Sequence, residues 1–168
     1  VDYGMIKLQE KKFEEAIAFY DKAIEIDSEI LEAYYQKGIV YAFQEKYDEA
    51  LKMNRKSLEI NPKHTHSQFN IAVVFHKLGK LDRAIAEYDL ALNIDKNYED
   101  AYYNRGQIYA SMGNTPQAYG DYISYSKIVK AKTGSEAAAL SLRGVEDKER
   151  VQRYMIPSFK DWLLEYDD

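Results

Sequence analysis

No cysteine occurs among the 168 residues. Disulfides, thiolate nucleophiles and cysteine-ligated zinc are thereby excluded, and the redox compartment is left open. Proline is scarce at three and glycine at eight, so long stretches run without a helix breaker. No apolar run approaches the roughly 18 residues that mark a membrane span. No block of one charge sign exists either, and the formal net charge of −5 is spread along the chain. Without a basic face to neutralise phosphates, nucleic-acid binding is not expected. Asn114-Thr115-Pro116 comes nearest to a glycosylation sequon and lacks the hydroxyl residue in third place. No signal-peptide pattern is visible, which leans the expectation toward the cytoplasm without fixing a compartment. The chain does not open on Met, and its first residues read as the interior of a helix. That start is the one expected of a scaffold fragment of a longer protein.

What is present is a period. Ala16, Ala50, Ala84 and Ala118 stand 34 residues apart each time, and a fixed period of this size signals stacked repeats. Gly4, Gly38, Ala72 and Gly106 form a second column, always small. Lys7, Tyr41, Phe75 and Tyr109 form a third, and Tyr20, Asn54, Tyr88 and Tyr122 a fourth, each aromatic in three of four places. Ala23, Ser57, Ala91 and Tyr125 form a fifth, small until the last. Sixteen tyrosines are the one unusual count in the composition.

Within each unit apolar residues recur at helical spacing, as in Ile17, Tyr20 and Ile24, or Ile85, Tyr88 and Leu92. Turn-like segments interrupt them at Glu10-Lys11-Lys12, Glu45-Lys46, Leu78-Gly79-Lys80 and Met112-Gly113-Asn114. Glu14, Asp48 and Asp82 then open the second stretch, where a helix dipole favours negative charge. In the last unit Thr115 is expected as N-cap, with Pro116 in the first turn. Each unit therefore reads as two antiparallel helices. Small residues let the pair approach, and aromatics fill the space beside them. One pair cannot bury its apolar face alone, so pairs must stack.

These features resemble the tetratricopeptide repeat (TPR) family. AYYQKGIVYAFQEK and AYYNRGQIYASMGN carry its pattern almost slot for slot, as does EKYDEALKMNRKSLEINP with Pro62 closing the unit. The resemblance covers residues 1–130 as units 1–30 (partial), 31–64, 65–98 and 99–130, followed by C-terminal capping helices over 131–168. It departs where Gln68 replaces an aromatic, where Asn54 and Lys7 replace Tyr, and where Lys96 and Lys130 replace Pro. The fold it implies is all-α, a right-handed superhelical solenoid of helix pairs. It also implies a concave groove lined by the first helix of each pair, holding an extended peptide or a helical segment of a partner protein. Carried over by position, the groove residues are Met5, Tyr35, Gln36, Ile39, Phe43, Phe69, Asn70, Val73, Lys77, Tyr103, Asn104 and Gln107, with Val1 and Gln9 at its start. An apolar and aromatic row would hold side chains. The amide row Gln36, Asn70 and Asn104 would hold peptide backbone, because an amide both donates and accepts.

Some relatives clamp a C-terminal carboxylate of heat-shock chaperones with Lys, Arg and Asn. Here Tyr35 and Ile39 stand where Lys and Asn are needed, and Asp100 and Asn104 where Lys and Arg are needed. One unit earlier, Val1, Met5, Gln36 and His66 supply no fixed cation. No such clamp is expected, since a carboxylate needs charged donors.

After Lys130 the period stops. A turn is expected at Lys132-Thr133-Gly134-Ser135, then a short helical stretch. From about residue 146 an apolar stripe follows: Val151, Tyr154, Met155, Phe159, Trp162, Leu163 and Tyr166, with Pro157 interrupting it. It reads as a cap over the last repeat. The alternative is a self-docking arm using Tyr154, Met155, Phe159, Trp162, Leu163 and Tyr166.

No catalytic, metal or cofactor site is expected. His64 and His66 are two residues apart, which on a helix points them to different faces. Gly79-Lys80 lacks the upstream Gly of a phosphate loop. The leading functional reading is a non-enzymatic scaffold for protein–protein interaction. The alternative is a self-assembling module, a homo-oligomer built through the C-terminal helix or the exposed first repeat.

Overall fold

A computed structural model of the chain describes residues 13–133. The regular structure in this range is entirely helical, in seven segments: α1 (Phe13–Ile26), α2 (Leu31–Phe43), α3 (Tyr47–Ile60), α4 (Thr65–Lys77), α5 (Leu81–Ile94), α6 (Glu99–Ser111) and α7 (Thr115–Thr133). Met5 and the rest of the first repeat's opening helix lie outside the described residues, as does the whole 146–168 stripe.

The chain forms two compact units, Val1–Ile94 and Asp95–Asp168. In the first, α2 packs on α3 and α4 on α5, the two pairs meet through α3 and α4, and α1 lies against α2. In the second, α6 packs on α7. The described helices thus pair as the repeat requires.

The columns of the sequence become the cores of these pairs. Ala16, Ala50, Ala84 and Ala118 are all fully buried. Tyr20 and Tyr88 are fully buried beside them, as is Phe75 from the third column. The small column is sterically required at two of its places. A Cβ on Gly38 would sit 2.5 Å from Nδ2 of Asn54, and one on Gly106 would sit 3.0 Å from the Tyr122 ring. Asn54 departs from its aromatic column and is buried nonetheless, donating from Nδ2 to the Ala50 carbonyl at 2.8 Å. Gln68 also departs from an aromatic slot. It stays in the core by donating to Oε2 of Glu87 at 2.5 Å, which ties α4 to α5.

Three of the expected turns fall where the sequence placed them, and Glu10-Lys11-Lys12 lies outside the described residues. Glu45, Gly79 and Gly113 take φ of 59°, 70° and 76°, the left-handed conformation that glycine adopts without penalty. Glu45 takes it with a side chain, at a cost of roughly 1 kcal/mol.

Two expectations change. Thr115 is not an N-cap: it is the first residue of α7, and the Asn114 carbonyl accepts the opening bond from the Ala118 N–H at 3.0 Å. Its hydroxyl instead reaches back toward the Gly113 carbonyl at 3.4 Å. Of the turn expected at Lys132-Thr133-Gly134-Ser135, the first two residues are instead helical, since α7 runs through Thr133, and the other two lie outside the described residues. Lys132 donates from Nζ to Oε2 of Glu99 at 2.5 Å, which anchors that last turn on α6.

Two further ion pairs reinforce the packing. Lys37 on α2 reaches Oδ1 of Asp21 on α1 at 2.5 Å. Arg105 on α6 grips Asp121 on α7 with both prongs, Nε to Oδ2 at 2.8 Å and Nη2 to Oδ1 at 2.6 Å.

Candidate functional site

The first helix of each pair carries the candidate residues, and side chains three and four apart share a helix face. On α2, Tyr35 and Ile39 are half-buried and Phe43 is 65% exposed at the helix end. On α4, Phe69, Asn70 and Val73 are half-buried and Lys77 is exposed. The two helices touch within the first unit. On α6, in the second unit, Tyr103 is 41% exposed and Asn104 and Gln107 are half-buried. Phe69 has a packing role as well, its ring lying 5.6 Å from that of the fully buried Tyr88.

The three amides differ in their engagements. Gln36 is 7% exposed, and its Nε2 donates to Oε1 of Glu32 at 2.5 Å. Asn104 donates from Nδ2 to the Asp100 carbonyl at 2.8 Å, one turn back in its own helix. Asn70 keeps an Nδ2 that is buried and has no hydrogen-bond acceptor. Gln36 likewise keeps a buried Oε1 with no donor, and such unpaired buried groups are costly.

A cluster the sequence did not reveal forms around Tyr35. The ring of His64 meets it edge-on at 5.1 Å, and that of His66 at 6.0 Å. The two imidazoles are 5.6 Å apart. The expectation that they point apart fails because His64 precedes α4 rather than lying in it, so helical spacing does not apply. Behind the rings runs an internal hydroxyl chain. Ser67 Oγ donates to Ser57 Oγ at 2.7 Å and lies 2.8 Å from Nδ1 of His64, which fits the Nδ1–H tautomer. Both serines are fully buried, so this chain braces the α3–α4 junction and meets no substrate. Burial, and then the charge of His66, holds His64 below the ordinary histidine range, against a smaller opposing pull from Glu32. Tyr35 is pushed up, by burial first and by the Glu32 carboxylate second.

The second unit has its own ring cluster. Tyr103 lies 5.3 Å from Tyr125 and 6.1 Å from Tyr122. Burial raises Tyr125, and the nearby Asp100, Tyr103 and Glu99 raise it further. Tyr125 interrupts a column of small residues, and that departure is the available sequence signal for this cluster. Glu32 and Asp100 fall outside the groove residues expected from the sequence, although each stands three places before one of the groove tyrosines.

Among the described residues no cluster of three or more His, Asp or Glu could hold a metal ion. Among them, too, no helix is long and apolar enough to cross a membrane.

A family model of the tetratricopeptide repeat matches residues 1–63, and a model described as TPR repeat matches residues 74–113. Together they take in more than half of the chain. Among curated proteins none matches significantly. Solved structures do. A crystal structure of MamA protein is 22% identical with a TM-score of 0.68, over 98% of this chain and 84% of that one. A second crystal structure of MamA is 24% identical with a TM-score of 0.67, over 98% and 94% of the two chains. At such identities the likeness speaks for the fold alone. The repeat period, the helix pairing and the matching models agree: this chain is a member of the tetratricopeptide repeat family.

Proposed function

We propose that the chain is a protein-interaction scaffold whose first-in-pair helices receive an extended peptide or a helical segment of a partner protein. The observation that carries this reading is apolar and aromatic surface left open on those helices. Phe43 and Tyr103 are 65% and 41% exposed, and Tyr35, Ile39 and Val73 are open in part. Such side chains supply affinity when a partner covers them.

The test is capture of partners from cell extract with the wild-type chain and with Phe43→Asp/Tyr103→Asp, read by mass spectrometry. Phe43 is exposed at its helix end and Tyr103 is exposed in part beside Tyr122 and Tyr125, so helical circular dichroism of the variant is measured first and must match the wild type. Phe69 is left intact because it packs on Tyr88. A partner held by the wild type and lost by the variant is expected. Equal capture by both chains refutes the reading. A captured second copy of the chain, with mass rising with concentration in light scattering, would put self-assembly in its place.

A further inference from the structure

Two helices of this fold carry a carboxylate three residues ahead of a tyrosine, at the same place in the repeat. In α2 these are Glu32 and Tyr35, and in α6 they are Asp100 and Tyr103. That separation sets acid and ring on one helix face. Each tyrosine belongs to a ring cluster inside its own unit, Tyr35 with His64 and His66, and Tyr103 with Tyr122 and Tyr125. The clusters are assembled differently. The first draws its other rings from the start of α4, the second from α7. The recurring chemistry is therefore not a by-product of one packing arrangement.

A carboxylate beside the faces of aromatic rings attracts a cation twice, by charge and by the ring quadrupole. It repels an anion. We propose that the two clusters are receptor sites for the lysine or arginine side chains of a basic peptide, with Glu32 and Asp100 as ion-pair partners and the rings of Tyr35 and Tyr103 as the platforms beside them. This rests on the scaffold reading above and specifies the partner's charge.

Several observations agree with it. Burial is the larger cause that raises Tyr35 and Tyr125, and Glu32 adds to it at Tyr35 as Asp100 and Glu99 do at Tyr125. Each cluster thus sits in a negative field. Burial and the charge of His66 hold His64 below the ordinary histidine range, which disfavours its cationic form. Asp100 holds the place in the repeat that Glu32 holds in α2, and the remaining oxygen capacity of a carboxylate that accepts one amide bond, as Glu32 does from Gln36, is open to a cation. The whole chain carries a net charge of −5, which favours approach of a basic partner.

The test uses the full chain and two fluorescein-labelled probes, the peptide Leu-Arg-Leu-Arg-Leu-Arg and its analogue with citrulline for arginine. Fluorescence anisotropy is read at about 0.15 M salt, where distant charges are screened. The arginine peptide is expected to bind about tenfold more tightly than the citrulline peptide, and Glu32→Gln/Asp100→Asn should remove about that factor. A control, Glu49→Gln/Asp82→Asn, removes two exposed acids from the second helices. It should change binding by less than about twofold. Equal binding of both probes overturns the proposal, as does an equal loss in the control, or no binding of the arginine peptide. A natural partner kept by Glu32→Gln/Asp100→Asn but lost by Phe43→Asp/Tyr103→Asp leaves the scaffold reading standing and removes the cation sites. A partner indifferent to both variants removes the scaffold reading itself.

Discussion

Replacing Asp121 by asparagine isolates the contribution of the Arg105 fork to the α6–α7 pair. The side chains of Arg105 and Asp121 are 17% and 7% exposed. The guanidinium also lies 5.6 and 5.8 Å from the rings of Tyr102 and Tyr109, so it is surrounded by apolar surface. The amide side chain would keep the shape and one acceptor but turn an N–H toward the guanidinium and leave its charge uncompensated. Breaking a pair buried to this degree costs about 3 kcal/mol. For a chain of this length that corresponds to a fall of about 10 °C in midpoint temperature. The assay is urea unfolding followed by far-ultraviolet circular dichroism, with hydrogen exchange assigning the loss to α6 and α7. The argument makes a second, sharper demand. The double variant Arg105→Met/Asp121→Leu removes both charges and should cost much less than Asp121→Asn alone, because no unpaired charge remains. A single variant within about 0.5 kcal/mol of wild type would refute the reasoning. So would a double variant that loses the sum of the two single losses.

Two further outcomes follow from packing and from pH. Gly38→Ala should destabilise by about 1–3 kcal/mol, because its Cβ would overlap the buried Asn54 amide. In an Asn54→Ala background the same change should turn neutral or stabilising, since Ala is the better helix former by about 1 kcal/mol; urea titration of the four chains reads the reversal. At high pH, burial and then Glu32 push Tyr20 up to about 12, and burial, Tyr103 and Asp121 push Tyr122 up to about 12. Both groups hold their protons more tightly when folded. Their stabilisation is complete below the ordinary value of 10 and is lost as pH rises toward 12. Absorbance at the phenolate band should therefore show late tyrosines titrating together with loss of helix, and early titration of every tyrosine in a still-folded chain would contradict this.

Much of the fold was legible because a repeat states its requirements several times. One buried alanine is ambiguous, whereas four at a fixed interval are not. The turns at Glu45, Gly79 and Gly113 could be placed for the same reason. What stayed hidden depends on pairs that the period does not relate. Arg105 and Asp121 belong to columns whose other members are not charged partners of each other. Gln68 reads as a defect in the sequence, and only the fold sets Glu87 opposite it. The His64–Tyr35 contact is not legible because the helix begins one residue later than the histidine. Helix boundaries are where pattern reasoning is least secure, and a one-residue difference there redirects a side chain. The candidate faces were readable as positions, but the differing engagements of Gln36, Asn70 and Asn104 were not.

The fit of Asn54 against Gly38 bears on how such a chain can change over time. Equivalent helices look like spare parts, and recombination between copies would exchange them at little cost if they were. They are not interchangeable here. A second helix carrying Asn54 is matched to a first helix bearing Gly38, and the one carrying Tyr88 belongs to a first helix bearing Ala72. A crossover that set Asn54 against a first helix bearing Ala72 would meet a steric clash, whereas the reverse exchange would set glycine against tyrosine, as Gly106 and Tyr122 already do. The second helix that bears Asn54 thus carries with it a demand for glycine in the helix before it, and that demand limits which copies can replace its neighbour.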